Sequence, residues 1–249
     1  MYLLFTICGR AGSKGLVDKM LRELAGKPLV GYVTSLIDLY RKAHPEHVVR
    51  VALNTDSEPL TNVVRTLVPD VIVVPRRPEL AGDTVGKVEV VRDTLLQVEH
   101  MLGQAPDAVV DLDITAPIRT LGDLEAAMDA FAAAKDADVV MSVVPSRRNP
   151  YFNMVERRDD GRVYKVVPDR FTARQDAPPV FDITSAIYVY APTFLRTAEF
   201  LLDGRCVAVV MEDTLVLDID SGEDLDWLEY LWPELQRRRP GLKDIHDNA

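Results

Sequence analysis

The chain has 249 residues, with 29 Lys and Arg against 39 Asp and Glu, for a formal net charge of −10. Its 47% hydrophobic and 27% charged residues are globular values, which excludes a disordered chain. Two cysteines are too few for a disulfide framework or a cysteine zinc site; the start MYLLFTICGR lacks the basic region of a signal peptide, and no apolar stretch reaches the roughly 20 residues of a membrane span. The expectation is a cytoplasmic protein with no membrane contact, and the acidic balance argues against a nucleic-acid partner.

Tyr2–Cys8 is a continuous apolar run ending at a glycine and reads as a buried strand. Residues 9–27 are loop-like, and Pro28 suits the first turn of a helix reaching about Ala43. Val48–Leu53 is a second strand, closed by Asn54-Thr55-Asp56-Ser57, which caps the next helix. Val71–Val74 is a short strand, Gly86–Leu102 has helical spacing, Ala108–Leu112 is a strand, Leu121–Ala134 an alanine-rich helix and Asp138–Val144 a fifth strand. This alternation predicts an α/β fold, Rossmann-like, with a mostly parallel sheet and helices on both faces. Ligands of such sheets sit beyond the carboxyl ends of the strands.

The pattern breaks over residues 145–179, which are polar, carry the turn Asp159-Asp160-Gly161 and read as an inserted arm. Val180–Tyr190 returns to strand, Thr193–Leu202 is a predicted helix, Cys206–Met211 a strand, and Ser221–Leu231 a helix capped by Ser221. From Arg237 onward a frayed tail is expected. The organisation is therefore one α/β domain, residues 1–144 and 180–235, an arm at 145–179 and a tail at 236–249. Residues 10–27 and 145–179 each carry a local charge of +3, so two basic patches stand on a body at −16. That arrangement focuses a field for a small polyanion, or marks two solvated loops.

Three loops hold candidate chemistry. The first strand empties into Gly9-Arg10-Ala11-Gly12-Ser13-Lys14-Gly15, followed by Lys19. Small residues let backbone N–H groups approach an anion, and Arg10, Lys14 and Lys19 add charge; a flexible basic turn is the alternative. It matches neither a Walker A loop nor a dinucleotide fingerprint. Asp111 and Asp113 share a side of the fourth strand's end, ahead of Thr115 and Arg119, and suit a metal, a nucleotide hydrogen bond or a helix cap. Asp218 and Asp220 likewise share a side, as magnesium ligands or as part of the cap at Ser221. The four histidines have surface roles, and Cys8 reads as packing.

Taken together these residues resemble the CMP-sialic acid synthetase family, most closely its CMP-legionaminic acid synthase type. The family's basic loop R-x-x-S-K-G-x-x-x-K-N reads here as Arg10 to Met20. Further blocks are Arg77-Pro78-Glu79-Leu80-Ala81, Asp83-Thr84, Asp111-Leu112-Asp113, Arg148 to Glu156, Arg174 to Pro178 and Asp218 to Ser221. The resemblance runs in order from residue 3 to about 230. It implies a nucleotidyltransferase: the anomeric hydroxyl of a 2-keto sugar acid attacks the α-phosphorus of CTP, giving a CMP-sugar and pyrophosphate. It further implies catalytic roles for Arg10, Lys14 and Lys19, and Mg²⁺, or Mn²⁺ in its place, on Asp218 and Asp220. The nucleotide would lie on Cys8, Gly9, Arg10, Gly12, Ser13, Lys14, Lys19, Asp113 and Arg77, or on Arg76, because the Arg77 block is one residue short. The sugar acid would meet Asp113, Thr115, Arg119, Arg174, Gln175, Phe181, Thr184 and Tyr188. The arm resembles the family's dimerisation arm, which implies a homodimer in which it reaches the neighbouring site.

The departures fall on the acceptor side. Met20 stands where the family has Asn, Ala116 where it has Ser and Thr184 where it has Asn. Lost hydrogen-bond partners change substrate preference by large factors. Two alternatives therefore stay open: a sister transferase for a keto-deoxy-octulosonate or a phosphonate, and a non-catalytic nucleotide-binding homologue.

Overall fold

The computed structural model describes residues 1–12, 16, 18–82, 84–213 and 218–249. Strand β1 (Tyr2–Cys8) lies at the centre of a seven-stranded sheet with β4 (Val48–Thr55) and β6 (Ala108–Leu112) parallel on its two sides. Beyond β4 lies β5 (Ile72–Pro75), also parallel. On the other side β10 (Phe181–Tyr190) runs antiparallel between β6 and β7 (Val139–Pro145), and β11 (Cys206–Val210) pairs parallel with β7 at the edge. The sheet is thus mostly parallel, with one reversed strand.

Alternation along β1 divides the core. Leu3, Phe5 and Ile7 face one hydrophobic layer, shared with α1 (Leu29–Ala43), α2 (Glu58–Leu67) and α4 (Leu121–Ala133). Leu4 faces the other, built on α3 (Lys87–Leu102) and the short α5 (Pro192–Leu195). Helices cover both faces, as a sheet buried on both sides requires. Ser57 caps α2 by accepting from the Leu60 N–H at 3.3 Å, and Thr120 and Asp123 form a reciprocal cap on α4.

Three expectations change. The helix expected over Thr193–Leu202 shrinks to α5 and a 3-10 turn at Leu201–Asp203. The last sheet helix, α6 (Gly222–Arg238), continues through Pro233, because Trp232 and Leu235 on either side of it are buried. The expected frayed tail is α7 (Pro240–Asn248): Leu242 and Ile245 bury completely, and the Ser35 hydroxyl of α1 donates to the Ile245 carbonyl at 2.6 Å. Apolar packing three residues apart outweighs the charged composition there.

The chain leaves the sheet after β7 and returns at β10, and the neck closes where the Ser146 N–H donates to the Val180 carbonyl at 3.0 Å. Between them a small ribbon of β8 (Val155–Arg157) and β9 (Val163–Lys165) carries the Asp159-Asp160-Gly161 turn. A second small ribbon, β2 (Glu23–Leu24) with β3 (Lys27–Pro28), lies in the segment read as loop.

Candidate active site

The carboxyl ends of β1 and β6 open into one cleft of about 460 Å³, with Arg76, the residue after β5, at its side. Cys8, Arg10, Lys19, Arg76, Lys87, Asp113, Asp218 and Asp220 line it. Its first wall is the turn after β1. The Gly9 N–H donates to the Asn54 carbonyl at 3.1 Å, and a Cβ on Gly9 would come within 2.7 Å of Leu60 Cδ2, so a larger residue would have to displace the Leu60 side chain. Gly12 sits at φ +75°, a conformation that suits glycine, and Asp56 accepts from the Ala11 N–H at 2.6 Å. Ser13, Lys14 and Asp83 lie outside the described residues. Burial, then the nearby Asp111, pushes the Cys8 thiol up, so it is no thiolate nucleophile.

Lys87 is the residue that sequence reasoning missed. It opens α3, and its ammonium lies 3.1 Å from Asp111 Oδ2 and 2.5 Å from Asp113 Oδ2. Asp111, almost wholly buried, also accepts from the Thr6 hydroxyl at 2.7 Å. Burial alone would raise the Asp113 carboxyl, but the Lys87 ammonium outweighs it and holds the group down at about 2. Lys87 is itself raised: burial disfavours its charge, and the two carboxylates more than restore it. The pairing of Asp111 and Asp113 on one side, expected from alternation, is therefore satisfied by a protein cation. Only a lysine on a different element supplies it, which no spacing around Asp111 signals.

The second acidic pair is different. The Ile219 N–H donates to the Thr115 carbonyl at 2.9 Å, pinning the 218–220 segment beside the loop after β6. Asp218 has a buried Oδ1 with no hydrogen-bond partner, and its carboxyl is pushed up to about 6, first by burial and then by the Asp113 and Asp220 carboxylates. Asp220 is exposed and meets the Lys19 ammonium at 3.0 Å. An orphaned carboxylate oxygen beside a second, accessible carboxylate is a donor set for a hard divalent cation such as Mg²⁺.

Of the two arginines offered for the nucleotide one lines the cleft, and three residues expected at the sugar lie outside it. Arg76, not Arg77, faces the cleft: its Nε donates to Asn54 Oδ1 at 2.8 Å, whereas Arg77 turns away to Asp93 at 3.0 Å. Arg119 is 1% exposed and does not reach the cleft. Its Nη1 donates to the carbonyls of Asp113, Ala116 and Ala186 at 2.6, 2.9 and 3.0 Å, so it clamps the loop after β6 to β10. Burial brings its guanidinium down to about 10. Thr184 is also buried, its hydroxyl 2.6 Å from that of Ser142. The register of β10 slips between Ile183 and Tyr188, and Ser185 at φ +56° takes the place in the cleft. Tyr188 lies beneath the wall: the Lys87 ammonium stands 5.4 Å from its ring centre.

Thr115 lines the cleft and donates from its N–H and hydroxyl to Asp113 Oδ1 at 3.0 and 2.9 Å. Arg174 and Gln175 are exposed on the arm, and Phe181 at the arm end of β10 is 45% exposed; none of the three lines this chain's cleft. Arg174 donates to the Ser146 carbonyl at 2.5 Å.

The cytidylyltransferase family model matches residues 4–153, which cover β1 through the start of the arm. The chain is 33% identical to the post-translational flagellin modification protein B of Campylobacter coli over 93% of this chain and 95% of that protein. It is 32% identical to the CMP-N,N'-diacetyllegionaminic acid synthase of Campylobacter jejuni, over 92% and 94% of the two chains. Among solved structures, a CMP:2-keto-3-deoxy-manno-octonic acid synthetase complexed with CTP shares the fold, with a TM-score of 0.65 at 16% identity over 94% of this chain and 99% of that one.

Proposed function

The chain belongs to the cytidylyltransferase family, and within it we propose a CMP-sugar synthetase that uses CTP and an acidic 2-keto sugar of the legionaminic or sialic type. In this reaction the anomeric oxygen forms a bond to the α-phosphorus. The bond from that phosphorus to the bridging oxygen breaks, pyrophosphate departs, and the anomeric proton passes to solvent or a cleft carboxylate. The observation that carries the reading is the convergence of Arg10, Lys19, Arg76 and Lys87 with Asp218 and Asp220 around one cleft at the strand ends.

Those residues suit a triphosphate. Lys19 and Arg10 border the turn after β1, where a polyphosphate would meet N–H groups and cations together. Lys19 and Asp220 neutralise each other across 3.0 Å. Binding would exchange partners: Lys19 to phosphate oxygens, Asp220 to a divalent cation. Asp218 and Asp220 would hold Mg²⁺, or Mn²⁺ in its place, which when bound supplies Lewis-acid neutralisation of the phosphate oxygens. Lys14, outside the described residues, is assigned to the same phosphates from the sequence. Arg76 is held by Asn54 where a nucleotide base or ribose would enter. Lys87 pairs with Asp111 and Asp113 and holds the Asp113 carboxyl down, leaving Asp218 and Asp220 for the metal.

A homodimer with a shared site fits the arm. Val155 and Val163 on its ribbon and Phe181 and Ile183 at its root are exposed, and Arg174 and Gln175 stand outside this chain's own cleft. A guanidinium suits the sugar carboxylate because two parallel N–H bonds match two oxygens. A cytoplasmic setting fits two unpaired cysteines, and among the described residues no helix is long and apolar enough to cross a membrane.

The test is pyrophosphate release from CTP, with ATP, GTP and UTP in parallel, against legionaminic, sialic, pseudaminic and keto-deoxy-octulosonic acids. CTP-dependent release with a nine-carbon acid is the expected result. Release with none of these acids at any nucleotide would overturn the assignment.

A further inference from the structure

At the amino-terminal edge of the sheet, away from the cleft, the turn joining α1 to β4 reads His44-Pro45-Glu46-His47. The His47 N–H donates to the His44 carbonyl at 3.0 Å, closing a four-residue turn with proline at its second position. Proline fixes the backbone there at little entropic cost, so the three side chains around it are held in advance. One donor atom from each of His44, Glu46 and His47 lies within 4.8 Å of the other two, the one such His, Cys, Asp or Glu group of three among the described residues.

The two distances from the carboxylate match those around an ion. A tetrahedral zinc with bonds of about 2.0–2.1 Å sets its donors roughly 3.3 Å apart. Glu46 Oε1 lies 3.3 Å from His44 Nδ1 and 3.6 Å from His47 Nε2. The opposite ring nitrogens are already engaged. His44 Nε2 stands 2.9 Å from Glu125 Oε1 on α4, and His47 Nδ1 stands 2.9 Å from the Tyr40 hydroxyl of α1. The Glu125 carboxylate accepts from His44 Nε2–H and so leaves the lone pair of Nδ1 for a metal, while the Tyr40 hydroxyl orients the His47 ring. The two imidazoles are nearly parallel, 14° apart with centres at 5.5 Å. The histidines are mostly covered while Glu46 is exposed, so an ion can reach the group from solvent.

We propose that His44, Glu46 and His47 form a transition-metal site, selective for Zn²⁺ and similar borderline ions over Mg²⁺, that ties the end of α1 to the start of β4. Two imidazoles and one carboxylate are a donor set that hard Mg²⁺ avoids. The site lies outside the cleft chemistry, so its function is structural.

The probe is zinc chloride titrated into the chelator-treated full chain by calorimetry. The background carries D218N and D220N, so that cleft carboxylates take no zinc. One equivalent should bind, with the melting temperature rising in zinc and not in magnesium. E46Q keeps both rings and the Tyr40 contact, and should weaken zinc binding at least tenfold. H44N with H47N should abolish both the binding and the thermal shift. Cobalt(II) in place of zinc should give a visible ligand-field band that the histidine changes remove. No zinc binding in the parent, or binding unchanged in E46Q and in H44N/H47N, would overturn the site. CTP-dependent turnover of the otherwise unaltered chain should be the same with and without H44N/H47N, which separates this test from that of the proposed reaction.

Discussion

Replacing Lys87 with methionine keeps the length of its stem and removes its charge. The ammonium stands between Asp111, 1% exposed, and Asp113, at 3.1 and 2.5 Å. Removing one partner of a buried ion pair typically costs about 3–5 kcal/mol, because the other charge stays buried alone. A second route gives a similar size. The Asp113 carboxyl lies at about 2 in place of its ordinary 3.8. At 1.36 kcal/mol per unit, that depression contributes about 2 kcal/mol of stability. Lys87→Met should therefore lose about 2–4 kcal/mol at pH 7, read as a lower urea midpoint at constant slope.

The pH dependence carries the sharper test. A depressed carboxyl contributes stability that is present above its unfolded value and lost as pH falls through its folded value. In the parent, the Asp113 contribution is thus whole above about pH 4 and disappears toward pH 2. In the variant the Thr115 hydrogen bonds remain but the ammonium is gone, so burial weighs more on the Asp113 carboxyl, which takes up its proton at a higher pH than in the parent. The deficit should be largest at pH 7 and smaller at pH 5. A loss under 1 kcal/mol, or one that is equal at both pH values, would refute the assignment of Lys87 as the counter-charge of this pair.

Lys19→Ala should lower kcat/KM for CTP by more than tenfold, a barrier increase above about 1.4 kcal/mol, in the pyrophosphate assay; near-parental rates would remove Lys19 from the triphosphate. Asp218→Asn and Asp220→Asn should each move magnesium activation to higher concentration, because each removes an anionic ligand, and an unmoved titration curve would exclude them from the metal. Arg76→Ala should raise the KM for CTP severalfold while Arg77→Ala leaves it within twofold, since only Arg76 faces the cleft. The reverse pattern would restore Arg77 to the nucleotide.

Sequence periodicity located the strands that build the mouth because each is a short buried run ending in a polar or glycine turn. Tyr2–Cys8 and Ala108–Leu112 coincide with β1 and β6 to the residue. Strand direction was not legible: β10 has the same apolar character as its parallel neighbours, and its reversal depends on the arm that brings the chain back. The helix α7 was missed because only Leu242 and Ile245 carry its burial signal among charged residues.

The site shows the same division. Residues on one continuous segment could be ordered by alternation, so Asp111 with Asp113, and Asp218 with Asp220, were readable as pairs. What decides their roles comes from elsewhere in the chain. Lys87 arrives from α3 to pair with both members of the first, whereas among the described residues half-buried Asp218 makes no ion pair and its Oδ1 has no hydrogen-bond partner. The two pairs look alike in sequence, yet Lys87 bridges both members of the first, whereas Lys19 meets only Asp220 of the second. Likewise Arg119 and Thr184 have the right chemistry for a sugar acid, but Arg119 is buried with its Nη1 on three carbonyls, and a register slip in β10 substitutes Ser185 for Thr184 at the surface. Thr115 and Ser185 therefore line the cleft where alternation alone would have chosen Arg119 and Thr184.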